Sequence, residues 1–166
     1  MIAAPLPRDE TQRLKALRDL LILDTPPEER FDRISAFAAQ EFGVPMALVS
    51  LVDRDRQWFK SNFGLEACET PRDISFCGHA VTLSAPLVVP DALEDPRFAN
   101  NPLVTGHPYV RFYAGAGLRL PCGHVVGTLC VIDRRPRIFD RLDVALLCGL
   151  RDLVVEELLR REEVHP

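Results

Sequence analysis

Apolar and polar positions alternate along this chain with two different periods. Asp9 can cap a helix with Gln12 three residues later, and Leu14, Leu17, Leu20 and Leu21 then recur at helical spacing until Asp24. Thr25, Pro26, Pro27 and Glu28 form a second start signal with proline in the first turn. Phe31, Ile34, Ala38 and Phe42 follow on one helical face, and Gly43 closes the run. From Val44 to Val52 the residues are almost continuously apolar and rich in valine and leucine, which predicts a central strand covered on both faces. Asp53, Arg54 and Asp55 turn the chain. Arg56 to Phe63 then mixes Trp58, Phe59 and Phe63 with polar residues and ends at Gly64, the pattern of a hairpin partner.

A polar loop with Pro71 is expected next. Ser75 can cap a short helix running to Leu83, and Pro86 forces an extended path into Leu87, Val88 and Val89. The stretch from Asp91 to His107 has no clear period and reads as a long ordered loop with at most short helical turns. Phe112 to Leu120 and His124 to Asp133 are β-prone runs separated by Pro121, Cys122 and Gly123, a hairpin signal. Asp140 caps a last helix, predicted over 140–163, whose leucines from Leu142 to Leu159 cover more than one stripe. The order predicts an α+β domain with an antiparallel sheet of five or six strands. Residues 1–8 are a flexible lead-in, and 9–163 form one domain.

Composition narrows the function. The 166 residues, 47% of them apolar, can bury one core, and a formal charge of −4 without a basic stripe argues against nucleic acid as a partner. Neither a signal-peptide run nor the roughly 20 apolar residues of a membrane span occurs, so a cytoplasmic location is expected and no membrane partner. Five cysteines without framework spacing suit free thiols in a reducing compartment. No glycine-rich phosphate loop follows a strand.

Val49 to Gly64 (VSLVDRDRQWFKSNFG), Asp73 to Ala80 (DISFCGHA), Leu87 to Val104 (LVVPDALEDPRFANNPLV), Arg111 to Ala114 (RFYA) and Gly127 to Asp133 (GTLCVID) resemble the GAF family in content and in order. The likeness spans about residues 10–160. It implies the GAF, profilin-like fold: outer helices on one face of the sheet, and a ligand pocket roofed by loops and short helices on the other. It also implies a stand-alone sensor module similar to those of bacterial sensor histidine kinases and diguanylate cyclases. Such modules sit beside kinase or cyclase output domains and signal through the terminal helix.

Each candidate site residue has a plainer reading beside the functional one. Cys77 and His79 near a helix start can make a redox or ligating pair, or be a small buried thiol and a hydrogen-bonded histidine. Cys122 and His124 repeat the triplet, but their two-residue spacing in a tight turn is unlike that of zinc ligands, and no metal is expected. Arg111 can clamp an anion or pair with Asp73, Asp91 or Asp95, while Tyr113 shares its side of the strand. Trp58 and Phe59 can line a pocket or fill a core, and Asp91, Asp95, Arg97, Phe98 and Asn101 can form a lid or a structural lock. Trp58, Ser75, Phe76, Cys77, His79, Asp91, Phe98, Arg111 and Tyr113 are therefore the expected ligand-binding residues.

The leading expectation is a noncatalytic sensor that binds a small effector or a partner and dimerises through its terminal helices, without a cofactor that the sequence can name. Two alternatives stand beside it. Some GAF proteins reduce free methionine sulfoxide with three cysteines, and Cys68 and Cys77 resemble two of them. Val110 to Tyr113, where the attacking thiol of that group is expected, contains none. The other alternative is a dimerisation scaffold without a pocket.

Overall fold

The computed structural model describes residues 1–160. Helices α1 (Glu10–Asp19) and α2 (Glu29–Phe42) lead into strands β1 (Met46–Val52), β2 (Arg56–Phe63) and β3 (Glu69–Pro71). Helix α3 (Phe76–Ala80), strand β4 (Leu87–Val89), a 3-10 turn at Ala92–Glu94 and helix α4 (Pro102–Thr105) follow. Strands β5 (Phe112–Arg119) and β6 (Val125–Asp133) and helix α5 (Arg141–Leu159) complete the domain. One antiparallel sheet runs β3-β2-β1-β6-β5-β4, so the apolar strands β1 and β6 occupy its centre. Both are buried at every position, which fits their largely apolar sequences. This is the predicted α+β architecture with six strands.

Helices α1, α2 and α5 cover one face. Leu17, Phe31, Leu147, Leu150 and Val154 pack there against Ala47, Val49, Leu51, Phe112, Leu129 and Val131. The alternate residues of the same strands, among them Leu48, Tyr113, Cys130 and Ile132, face a second core roofed by α3, α4 and the loops around them. Helix ends are fixed by specific groups. Gly43 ends α2 at φ +64°, and the Arg137 guanidinium donates to the exposed carbonyls of Phe42 and Gly43 while pairing with Asp133. Asp140 and Asp143 form a reciprocal capping box on α5. Residues 161–163, expected to continue this helix, lie outside the described residues.

Several local expectations change. Asp9 precedes α1 but caps nothing with its side chain; its carboxylate lies 2.5 Å from His124 Nδ1. Thr25 does not start α2, which begins after Glu28. Its hydroxyl donates to Ile22 O and accepts from Lys60 Nζ. The polar segment around Pro71 contains the short edge strand β3, paired with Arg56, Gln57 and Trp58. Helix α3 stops at Ala80 instead of reaching Leu83. The lead-in is tied to the loop face: the Ile2 amide donates to Arg97 O at 3.1 Å and the Ala4 amide to Asp73 O at 3.1 Å. No helix among the described residues is long and apolar enough to cross a membrane.

Candidate functional site

The loop-covered face holds a cavity of about 100 Å³, room for a few waters rather than for a nucleotide. Leu48 and Ile132 from the sheet, Phe59 from β2, Leu65 from a loop, Leu103 from α4 and Phe76 from α3 give it an apolar lining. Gln57, Thr70, Cys77, His107 and Tyr113 add polar atoms. The roof is braced by aromatic contacts. Phe76 stacks on Phe98 at 4.1 Å between centroids, Phe98 meets His79 edge-on at 4.8 Å, and Phe76 tilts against Tyr113 at 5.1 Å. Asn101 caps α4 and donates through Nδ2 to Ile74 O at 2.9 Å, joining the two halves of the roof.

At the edge of the cavity Cys77, from α3, is buried within a ring of hydrogen-bonding groups. Its Sγ lies 3.2 Å from Tyr113 Oη, accepts from Thr128 Oγ1 at 3.0 Å, and lies 3.9 Å from Cys130 Sγ. Burial pushes this thiol up, but the donors Cys130, Thr128, Tyr113 and Ser50 outweigh it and bring the pKa down to about 7. The partner groups move the other way. Cys130 is raised by its hydrogen bond to Cys77 and by burial, and Tyr113 by burial and by the charge on Cys77. Ser75 holds the start of α3: its Oγ accepts from the Gly78 amide at 2.9 Å and donates to Arg72 O at 2.6 Å. His79 bonds Ile2 O at 3.0 Å, and burial lowers its pKa, so the neutral ring is favoured.

Thus Ser75, Phe76, Cys77, His79, Phe98 and Tyr113 converge on the loop-covered face, and Phe76, Cys77 and Tyr113 touch the cavity itself. Three expected residues stand elsewhere. Trp58 packs with the helical layer, because consecutive strand residues point to opposite faces and Phe59 takes the cavity side. Arg111 donates to the carbonyls of Val104 at 2.8 Å and Val110 at 3.1 Å, so its guanidinium braces α4 where an anion clamp or a carboxylate pair was expected. Asp91 caps the 3-10 turn through the Leu93 amide. The two Cys-Gly-His triplets are not brought together: Cys122 is exposed and His124 pairs with Asp9, whereas Cys77 is buried. Among the described residues no group of three or more His, Cys, Asp and Glu could hold a metal. Cys68 is exposed and lines an open groove beside β2.

Sequence reasoning passed over Cys130, Thr128 and Ser50. Period-two alternation could have found the first two, since Thr128, Cys130 and Ile132 share one side of β6.

The family model of the GAF domain matches residues 26–158. The chain belongs to the GAF family. This GAF domain is 42% identical over 160 residues to a cyclic di-GMP phosphodiesterase of Pseudomonas aeruginosa, covering 95% of the chain but 27% of that relative. Among solved structures, free methionine-R-sulfoxide reductase from Neisseria meningitidis, in complex with its substrate, superposes with a TM-score of 0.67 at 18% identity, covering 99% of this chain and 100% of that one. The GAF domain of an Acinetobacter phosphoenolpyruvate-protein phosphotransferase gives 0.66 at 16% identity, covering 92% and 96%. A domain of a Sinorhizobium meliloti sensor histidine kinase gives 0.62 at 13% identity, covering 82% and 93%. At these identities the structural likeness speaks for the fold alone.

Proposed function

We propose that this GAF domain is a sensory module of a bacterial signalling system. A small, largely apolar effector enters the cavity beneath α3 and α4 and biases the loop layer, and the change reaches α5 through the sheet. The observation that carries this reading is the roofed cavity lined by Phe59, Phe76, Leu103 and Tyr113, with only a few polar atoms to orient a guest. Its size suits an effector of a few heavy atoms, or a larger one that opens the roof. The relative's name points to an output that controls cyclic di-GMP hydrolysis, in the same chain or in a partner protein. Native mass spectrometry of protein purified from its own host tests the proposal. A retained small molecule, lost when Phe76→Trp fills the cavity, is expected; an empty protein that binds nothing from a metabolite extract would refute it.

The output surface is the outer side of α5. Leu142, Leu146, Leu153 and Leu159 are exposed there, while Leu147, Leu150, Val154 and Leu158 cover the sheet. A helix apolar on both sides needs a second partner, and a second copy of this domain packed through α5 would cover the surplus leucines.

A further inference from the structure

We propose that Cys77, which lines the cavity, and Cys130 behind it form a peroxide-responsive thiol pair, closing to an internal disulfide when a small hydroperoxide enters. The inference goes beyond effector sensing and does not depend on it, since both thiols belong to the fold whether or not another molecule occupies the cavity. Three observations carry it. The two sulfurs lie 3.9 Å apart although 53 residues separate them in the chain. Cys77 lines a space large enough for a molecule little bigger than water. The thiol is also held by Thr128 at 3.0 Å and Tyr113 at 3.2 Å, hydroxyls that can stabilise a thiolate and then donate to the departing oxygen. The lowered pKa of Cys77 agrees with this arrangement.

The chemistry balances as two steps. The Cys77 thiolate attacks the terminal oxygen of the hydroperoxide. An S–O bond forms, the O–O bond breaks, sulfur is oxidised by two electrons, and the leaving hydroxide or alkoxide takes up a proton. Cys130 sulfur then attacks Cys77 Sγ; the S–O bond breaks, and the hydroxide leaves as water with the Cys130 proton. A dithiol reverses the bond by two exchanges. Closing from 3.9 Å to a sulfur–sulfur bond of about 2 Å draws the start of α3 toward β6. Cys77 then leaves its partners on Tyr113 and Thr128, so the roof of the cavity changes with the redox state.

The test uses the full chain with Cys68, Cys122 and Cys148 replaced by serine, which leaves this pair as the remaining thiols. Hydrogen peroxide at neutral pH should remove both thiols from alkylation under denaturing conditions, and peptide mapping should join Cys77 to Cys130. Dithiothreitol should restore both. Adding Cys130→Ala should stop the reaction at a sulfenic acid on Cys77 that dimedone traps, and Cys77→Ala should abolish adduct and disulfide alike, with circular dichroism confirming that each variant is folded. The proposal is overturned if, after peroxide treatment of the folded protein, both thiols are still fully alkylated once it is denatured. It is equally overturned if the disulfide forms no faster in the folded chain than in urea.

Discussion

Tyr113 folds back over Gly115, two residues along the same strand, and its hydroxyl occupies the space that any side chain on Gly115 would need. This close approach aims the phenol at Cys77 Sγ, 3.2 Å away, and lets the ring pack beside Phe76. Gly115→Ala should therefore drive Tyr113 off Cys77 and destabilise the domain by about 1–3 kcal/mol, the usual cost of overpacking a core. Urea unfolding checks the loss. Tyr113→Leu in the same chain should recover part of it, and an unchanged midpoint for Gly115→Ala would contradict the relationship.

Glu10 sits between two buried guanidiniums, those of Arg13 and Arg72. Burial raises its pKa, but the hydrogen bonds from Arg72 and Arg13 and their charges bring it down to about 2 from 4.5. A depressed carboxyl stabilises the fold above its unfolded pKa, so this contribution, on the order of 2 kcal/mol after screening, is present at neutral pH. It should fade as pH falls from about 4.5 toward about 2. Thermal melts across that range should show a flatter acid limb for Glu10→Gln, together with a lower midpoint at pH 7, because two buried cations lose their counter-charge.

Asp9 and Asp140 both precede helices, yet only Asp140 caps one. Asp140→Ala should cost about 1 kcal/mol. Asp9→Ala loses a partly exposed pair with His124 and should cost less than about 1 kcal/mol, so paired thermal melts should rank the two variants in that order.

The outward leucines of α5 make a direct prediction about assembly. If a second copy covers them, Leu146→Glu with Leu153→Glu should convert dimers to monomers by light scattering without lowering the melting temperature of the monomer unit, since both side chains already meet solvent.

Thiol-dependent reduction of free methionine sulfoxide should be undetectable. Val110 to Tyr113 supplies no thiol, Cys68 lies in the open groove rather than the cavity, and the group facing Cys77 from β5 is a phenol. Turnover that disappears in Cys77→Ser would overturn this expectation.

The sequence by itself determined the elements that local chemistry dictates. The almost continuous apolar run of β1 required burial on both faces, Gly43 supplied the left-handed helix end, Asp140 marked the start of α5, and the spacing around Gly123 made the final hairpin. Ordered motifs added the GAF architecture. Tertiary structure alone decided which residues meet. Glu69–Pro71 has little strand character of its own and becomes β3 because the open edge of β2 offers it partners. The register irregularity between Val49 and Ser50 disrupts the alternation opposite Lys60, whose buried ammonium finds Thr25 and the Pro26 carbonyl. Cys77 meets Cys130, and Asp9 meets His124, across separations of 53 and 115 residues. Period and capping act within a few residues of the chain, whereas these encounters follow from strand order and from which face of the sheet each loop must cover.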